Sequence, residues 1–177
     1  MIQIRIRTPL TSDQISSLKC GDRVLISGTI FTARDAAHMK MMEAISQGNE
    51  MPFLLQGNII YYAGPTPARP GNVCGAFGPT TSGRMDKMTV PLLERGLKGM
   101  IGKGQRSPEV IDSIVLNGAV YFAAVGGAGA LIARSVKASE IVAYDDLGAE
   151  AIRKIEVEDF PAIVAIDAQG KCIYDRP

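Results

Sequence analysis

Residues 23–31, Arg-Val-Leu-Ile-Ser-Gly-Thr-Ile-Phe, and residues 35–47, Asp-Ala-Ala-His-Met-Lys-Met-Met-Glu-Ala-Ile-Ser-Gln, change the period of the chain from strand to helix. The first stretch is rich in β-branched and apolar residues, which is typical of a buried strand. Gly28 interrupts it and predicts a bulge or a close approach of another backbone. A strand followed directly by a helix is the repeating unit of α/β proteins.

The predicted helix over residues 35–47 has apolar residues at helical spacing, including Met39 and Met42. Asp35 is a residue type that can cap the start of a helix, and Gly48 can end it. Methionine fills irregular gaps in cores, so we expect this stripe to pack inward rather than to line a cofactor site.

The same alternation continues along the chain. Apolar segments predict further strands at residues 2–7, 59–63, 99–103, 119–125, 141–144, 152–157, 163–167 and 172–174. Helices are predicted from the end of the 64–78 loop towards Gly96, from Ser107-Pro108-Glu109, and from the glycine-rich turn at 126–130 through Lys137. No internal repeat or low-complexity linker interrupts the pattern, so we predict a single α/β domain over residues 1–177.

Composition is ordinary for a soluble globular protein, since 46% of the 177 residues are hydrophobic and 21% are charged. The formal net charge of +1 provides no global field for nucleic acid or an anionic membrane, so any positive potential has to be local. No apolar run is long enough to span a bilayer. The N-terminal residues alternate like a strand and lack the apolar core of a signal peptide, so we expect a cytoplasmic protein.

The cysteines predict that this chain holds no metal of its own. Cys20, Cys74 and Cys172 are widely separated and form no Cys-x-x-Cys pair. This spacing argues against a zinc site and against a cubane iron–sulfur cluster. We expect small, buried thiols in a reducing compartment.

Residues 75–86, Gly-Ala-Phe-Gly-Pro-Thr-Thr-Ser-Gly-Arg-Met-Asp, carry groups suited to an anion. In a loop that enters a helix, the hydroxyls from Thr80 to Ser82 would lie beside free N-terminal amides, which attract phosphate or carboxylate. The Arg84 guanidinium adds a planar fork of donors. An ordinary capped helix with a solvated arginine remains the alternative for this segment alone.

Two other segments follow predicted strands and extend this picture. Arg34 precedes the 35–47 helix and can project over a strand end, and Lys103 ends the predicted strand at 99–103. The lone histidine, His38, is more typical of a hydrogen-bonded structural residue than of a catalyst. The glycines at 126–130 lack the full dinucleotide-binding spacing, which favours close packing of a helix over nucleotide binding.

Three segments resemble the β subunit of class I fumarate hydratases and the related β subunit of L-tartrate dehydratase. They are Ala-Arg-Asp-x-Ala-His at 33–38, Gly-Pro-Thr-Thr-Ser-Gly-Arg-Met-Asp at 78–86 and Lys-Gly-x-Arg-Ser at 103–107. The resemblance extends through Lys154-Ile-Glu-Val-Glu-Asp-Phe-Pro161, in the order of the family, and covers nearly the whole chain. The nine-residue segment at 78–86 is the most specific of these.

The resemblance implies a swivelling β/β/α domain that joins an α subunit carrying a labile 4Fe–4S cluster. It implies that the cluster ligands and the acid belong to that subunit, and that no cofactor binds to this chain alone. The present chain would clamp a dicarboxylate and supply a candidate base. Carried over by motif, Thr80 matches the family's proposed base, and the substrate contacts fall on Arg34, Thr81, Arg84 and Lys103.

Three functions remain open from the sequence. The first is an iron–sulfur hydro-lyase subunit of a hetero-oligomer that interconverts fumarate and (S)-malate. The second is the L-tartrate dehydratase equivalent, because the pocket residues that distinguish one diacid from another are not identified by the motifs. The third is a noncatalytic anion-binding or assembly module. None of the three calls for a nucleic-acid or membrane partner.

Overall fold

The computed structural model describes residues 2–124 and 128–175, in which seven strands form one mixed sheet. Five are parallel and lie in chain order: β1 (Gln3–Arg7), β2 (Arg23–Thr32), β3 (Ile59–Tyr61), β4 (Gly99–Gly102) and β5 (Val120–Ala123). The strands β6 (Val136–Ala143) and β7 (Ile152–Ile166) pair antiparallel. Because β7 pairs with β5 at one end and with β2 along most of its length, the sheet closes on itself.

Helices connect the parallel strands, which confirms the predicted α/β class. They are α1 (Ser12–Ser17), α2 (Asp35–Ser46), α3 (Asp86–Glu94), α4 (Pro108–Asn117) and α5 (Gly129–Ser135), with 3₁₀ helices at Ser82–Met85, Asp145–Glu150 and Ile173–Asp175. The predicted start of α4 is confirmed, because the Ser107 hydroxyl accepts a hydrogen bond from the Val110 amide and Pro108 occupies the first turn. Within the described residues, no helix combines the length and apolarity needed to cross a membrane.

Buried side chains lie on both faces of the sheet. Consecutive residues of β3 alternate between them, because side chains on a strand point to opposite sides. Tyr61 belongs to one hydrophobic cluster, together with Phe122 and Phe160, whereas Ile60 belongs to a second cluster that includes residues of α2, α3 and α4. Burial on both faces is the usual state of parallel strands and explains their continuous apolar sequence.

The prediction for Gly28 is confirmed. The register between β2 and β7 shifts between Ile26 and Gly28, which marks a bulge. Gly28 has a φ of 112°, and a Cβ there would overlap the Thr8 hydroxyl oxygen and lie 3.3 Å from the Thr8 amide nitrogen. Only glycine combines this backbone geometry with such a close approach.

The predicted core face of α2 is confirmed only in part, because Met42 and Ile45 pack against the core but Met39 does not. Met39 is 65% exposed and Met42 is only partly buried, whereas Ala37, His38 and Met41 are the buried residues. Methionines occur on both faces of this helix, so helical spacing alone does not fix its rotation about its axis. Contacts with the sheet decide which residues turn inward.

The C-terminal half differs most from the prediction. The segments predicted as two strands at 152–157 and 163–167 form the continuous strand β7, which turns at Asp159 with a φ of 52°. Helix α5 ends at Ser135 instead of Lys137, and β6 begins at Val136. The predicted strand at 172–174 is an isolated bridge followed by a 3₁₀ helix.

Two elements were not predicted, namely α1 and the 3₁₀ helix Asp145–Glu150. Helix α1 carries a reciprocal cap between Thr11 and Gln14, which is a recognisable signal in the sequence. The glycine-rich turn at 126–130 lies partly outside the described residues, which resume at 128. Of its glycines, Gly129 packs closely on the 75–86 segment, because a Cβ there would lie 2.8 Å from the Gly78 amide nitrogen.

Candidate functional site

The candidate residues meet at one edge of the sheet. β2, β3 and β4 are parallel, so their carboxyl ends lie side by side. Arg34 follows β2 by two residues, and Lys103 directly follows β4. Thr80 is brought beside the end of β3, because its amide donates a 2.7 Å hydrogen bond to the Tyr62 carbonyl. The parallel pairing of β2, β3 and β4 therefore brings together segments that are distant in the sequence.

An acidic residue joins the two arginines of the set. Arg84 Nε donates a 2.9 Å hydrogen bond to Asp35 Oδ1, and an Arg34 terminal nitrogen lies 3.9 Å from Asp35 Oδ2. Glu150, from the 3₁₀ helix before β7, lies 4.0 Å from Arg34 Nε. The prediction that Asp35 caps α2 is therefore wrong: Arg34 occupies the N-cap position without a side-chain cap, and the Asp35 carboxylate pairs with Arg84.

Two carboxylates, those of Asp35 and Glu150, therefore lie among the cations of the site. Arg84 nevertheless keeps donors available. Asp35 contacts Arg84 through Nε, and the Arg84 side chain is about half exposed. Arg34 differs, because its Nε is buried and makes no hydrogen bond among the described residues. The geometry leaves the terminal nitrogens of Arg84 free to approach a carboxylate as a planar fork.

Thr81 and Lys103 are held together by their backbones. The two residues form an isolated parallel bridge, and the Ser82 amide donates a 2.9 Å hydrogen bond to the Lys103 carbonyl. Both side chains are exposed. Within the described residues, no acidic side chain pairs with Lys103, so its ammonium group presents an unneutralised charge at the edge.

The predicted helix N-terminus is wrong in detail. Residues Ser82–Met85 form a 3₁₀ turn, and α3 begins only at Asp86. Thr81 makes no side-chain cap, and the Ser82 hydroxyl bonds the Tyr121 hydroxyl at 2.8 Å rather than a helix amide. The hydroxyls are therefore not arranged around helix amides, and the positive potential of the site rests on its arginines and lysine.

A buried arginine lies beneath the site. Arg106 Nε donates a 2.7 Å hydrogen bond to Asp86 Oδ1, and one of its terminal nitrogens bonds the Thr89 hydroxyl at 2.9 Å and the Tyr62 hydroxyl at 3.2 Å. Its guanidinium carbon lies 5.2 Å and 4.9 Å from the ring centroids of Tyr62 and Tyr121. These aromatic and acidic partners raise the pKa of Arg106 despite its burial. Asp86 also accepts the Ser107 amide at 2.7 Å.

Gly102, the last residue of β4, is packed closely against Ser82 and Tyr62. A Cβ at Gly102 would overlap the Ser82 hydroxyl oxygen and lie 2.9 Å from the Tyr62 ring. A side chain at this position would therefore push the 80–84 segment away from Lys103. By contrast, a Cβ at Gly83 would meet its nearest atom at an ordinary 3.7 Å.

The interpretation of His38 as a structural residue agrees with its surroundings. The ring is fully buried, its Nδ1 lies 2.8 Å from the Arg34 carbonyl, and it packs edge-on against Tyr62. A carbonyl accepts only, so Nδ1 carries the proton. Burial lowers the pKa of His38 to about 4, with a smaller opposing effect from the Arg34 carbonyl, and the ring is neutral at pH 7.

The cysteines show mixed burial. Cys172 is buried, whereas Cys20 and Cys74 are partly exposed, and none of the three forms a disulfide. Burial raises the pKa of the Cys74 thiol, which disfavours the thiolate that nucleophilic chemistry or metal binding requires. Among residues 2–124 and 128–175, no three His, Cys, Asp or Glu side chains come together in a way that could hold a metal ion.

Sequence reasoning grouped the five candidate residues, which the structure brings to one edge of the sheet, but it missed the residues that orient them. Asp86 and Arg106 fall inside two of the quoted segments, and Asp35 falls inside the third. Their position in these segments was the available signal. Tyr121 and Glu150 lie in no quoted motif, and only the fold brings them to the site.

Comparison with known proteins identifies the family. A sequence profile described as "Fumarase C-terminus" matches residues 1–176. The chain belongs to this fumarase C-terminal family. The resemblance stated from the three segments is thereby confirmed.

Several relatives are similar over nearly the whole chain. "Fumarate hydratase class I, anaerobic" of Escherichia coli K12 is 43% identical over 166 residues, which cover 92% of this chain and 30% of that protein. "Fumarate hydratase 2" of Leishmania major is 37% identical over 179 residues, covering 99% of this chain and 32% of that protein. "Putative L(+)-tartrate dehydratase subunit beta" of Methanocaldococcus jannaschii is 40% identical over 173 residues, covering 94% of this chain and 89% of that protein.

The share of each relative that this fumarase C-terminal chain covers differs between the two kinds of relative. It spans about a third of the length of the fumarate hydratases that it matches, and nearly the full length of the archaeal relative. The named fumarate hydratases therefore contain a large region with no counterpart among these 177 residues.

Proposed function

We propose that this chain is the β subunit of an iron–sulfur hydro-lyase that interconverts fumarate and (S)-malate. The observation that carries the proposal is the cation group of Arg34, Arg84 and Lys103 at one sheet edge, in a chain of the fumarase C-terminal family. Three cations against the two carboxylates of Asp35 and Glu150 leave a local excess of positive charge. A small dianion is the ligand that such an excess suits.

The arginines act as a clamp in this proposal. Asp35 holds Arg84 through Nε at 2.9 Å, which orients the guanidinium plane and leaves its two terminal nitrogens for one carboxylate. Arg34 and the compact ammonium of Lys103 meet the other carboxylate. During hydration, charge builds on a carboxylate as the carbanion-like intermediate forms, and preorganised cations stabilise that charge.

Thr80 is the candidate base. In the direction from malate to fumarate, a proton leaves carbon and hydroxide leaves the neighbouring carbon, so the base gains one proton while the alkene forms. A threonine hydroxyl is a weak base, and Thr80 serves only if adjacent cations stabilise its alkoxide. The backbone bond from Thr80 to the Tyr62 carbonyl fixes its position at the sheet edge beside these cations.

The remaining chemistry is assigned to a partner. A 4Fe–4S cluster in an α subunit would supply the Lewis acid for the hydroxyl group. The described residues of this chain offer no ligand set for such a cluster, so no step is assigned to them through it. The region that the fumarate hydratases carry beyond this chain is the natural counterpart of that subunit.

Tartrate dehydration is the second candidate. The archaeal relative named as a tartrate dehydratase β subunit matches this chain over 89% of its own length, so the two chains have similar extents. Tartrate adds a second hydroxyl to the same diacid skeleton, and the cation clamp suits both. A noncatalytic anion-binding or assembly module is the third candidate, which the experiment below distinguishes.

The test is anaerobic coexpression with a candidate iron–sulfur α subunit, followed by turnover assays on fumarate, malate and both tartrate enantiomers. We expect a brown, oxygen-sensitive hydratase from the complex and a colourless, inactive protein from this chain alone. Turnover by the isolated chain contradicts the subunit proposal. A complex that binds dicarboxylates without turning any of them over supports the noncatalytic module.

Thr80 is tested in the same complex with two variants. Thr80→Ser keeps the hydroxyl and Thr80→Val replaces it with a methyl group of similar volume. We expect the serine variant to retain clearly more activity. Equal rates for the two variants would remove Thr80 from the proton transfer.

A further inference from the structure

A tyrosine that sequence analysis did not identify joins the two segments of the candidate site. Tyr121 lies on β5, is fully buried, and its hydroxyl lies 2.8 Å from the Ser82 hydroxyl and 2.8 Å from the Gly104 carbonyl. Ser82 directly follows Thr81, and Gly104 directly follows Lys103. One phenol oxygen therefore connects the segment carrying the threonines with the loop carrying the lysine.

The direction of these hydrogen bonds follows from the acceptors. A carbonyl has no proton to donate, so Tyr121 must donate to the Gly104 carbonyl. The tyrosine hydroxyl has a single proton, so the Ser82 hydroxyl donates to the Tyr121 oxygen. The result is an ordered relay in which the Ser82 hydroxyl donates to the Tyr121 hydroxyl, and the Tyr121 hydroxyl donates to the Gly104 carbonyl.

The surroundings fix the relay. The Arg106 guanidinium lies 4.9 Å from the centroid of the Tyr121 ring and holds it from one side. Gly104 has a φ of 84°, a conformation that favours glycine, so its carbonyl direction is set by an unusual backbone turn. Above the relay, the Ser82 amide bonds the Lys103 carbonyl.

We propose that Tyr121 is a positioning residue whose hydroxyl fixes Thr81 and Lys103 relative to each other. Full burial keeps Tyr121 from contacting substrate, so its effect passes through the backbone of the two segments. The assignment of Thr81 and Lys103 as dicarboxylate contacts rests on the proposed function. The relative position of the two segments, by contrast, is fixed by contacts within this chain and can be measured without a partner or a substrate.

The first test measures that register without turnover. In Tyr121→Phe, we expect the Ser82 amide to exchange with solvent deuterium at least tenfold faster, because the segment loses the relay beneath it. Ser82→Ala, which removes the donor at the other end of the relay, should have the same effect. The Val120 amide serves as an internal control. It donates to the Lys98 carbonyl at the start of the β4–β5 pair, away from the relay, and should exchange within twofold of the wild-type rate.

Tyr61→Phe is the matched control variant. It also removes a buried hydroxyl that donates to a backbone carbonyl, that of Phe77, but on the other face of the sheet. Ser82 exchange should be unchanged in this variant. If Tyr121→Phe leaves Ser82 exchange at the wild-type rate, or if Tyr61→Phe accelerates it equally, the proposed role of Tyr121 is wrong.

The second test uses the assembled enzyme. We expect Tyr121→Phe to raise both KM and the inhibition constant of succinate, a dicarboxylate that does not react, by about tenfold. A mere loss of folded enzyme lowers kcat and leaves both constants unchanged, and that result would overturn the positioning role. If wild-type enzyme turns over none of the diacids, the proposed function fails, and the exchange experiment still decides whether Tyr121 holds the two segments.

Discussion

The buried ion pair between Arg106 and Asp86 gives the sharpest stability prediction. In Arg106→Met the aliphatic part of the side chain is kept and the guanidinium is lost. Asp86, whose side chain is only 14% exposed, then loses its 2.7 Å partner, and the hydroxyls of Tyr62 and Thr89 each lose one donor. Breaking one side of a buried pair typically costs about 3–5 kcal/mol, because the remaining charge is uncompensated.

That cost is measurable by two methods. In a protein of this size each kcal/mol shifts the thermal midpoint by about 2–4 °C, so we expect Tm to fall by about 6–20 °C. Urea titration at pH 7 should give the same loss in unfolding free energy with little change in slope. A double-mutant cycle with Asp86→Asn should show coupling of at least about 2 kcal/mol, because the two residues share one interaction.

The chain offers a matched control for this pair. Arg5 and Asp159 form an ion pair at 3.0 Å, close to the 2.7 Å of the buried pair, but the Arg5 side chain is 73% exposed. Arg5→Met should cost less than about 1 kcal/mol, since solvent screens the pair. If Arg106→Met costs no more than Arg5→Met, the reasoning from burial is refuted.

Three further predictions concern pH, packing and activity. Burial lowers the pKa of His38 from 6.5 to about 4, so the neutral ring contributes its full share to the free energy of unfolding above pH 6.5, and this contribution, up to about 3 kcal/mol, is lost as the pH falls towards 4. In His38→Gln the free energy of unfolding should lack this pH-dependent loss, and parallel pH profiles for the variant and the wild type would contradict the prediction. Gly102→Ala should destabilise the protein by about 1–3 kcal/mol, because the added methyl group would overlap Ser82 and Tyr62, while the control Gly83→Ala should change stability by less than about 0.5 kcal/mol. Equal urea midpoints for the two variants would contradict the predicted clash. In the assembled enzyme, Arg84→Ala should lower kcat/KM by about thirty-fold to a few thousand-fold, with the exposed Arg95→Ala within about threefold as control; activity of Arg84→Ala within threefold of wild type would exclude the clamp.

Local signals in the sequence were sufficient for several elements. The change of period near residue 32 predicted β2 and α2, and Ser107-Pro108 predicted the start of α4, because periodicity and capping depend on neighbouring residues only. The segment at 78–86 was specific enough to identify the family. It also directed attention to Arg84, which the structure places beside Arg34 through a shared carboxylate.

Other features depend on contacts that no local pattern contains. The inward face of α2 was predicted only in part, because apolar residues occur on both sides of the helix and only packing against the sheet selects Met41 over Met39. The two halves of β7 were predicted as separate strands at 152–157 and 163–167, whereas pairing with β2 continues through Phe160, Pro161 and Ala162. Where a strand ends depends on its pairing with distant strands, which local sequence preference does not contain.

The amino-acid sequence by itself determined the alternation of strands and helices, the family, and the residue types available to hold a dicarboxylate. Only the tertiary structure decided how those residues are oriented. Asp35 reaches Arg84 across 49 residues, and Tyr121 reaches Ser82 across 39. Such pairs form because parallel strands bring their carboxyl ends to one edge, so the partners are set by strand order, which spacing along the chain does not encode.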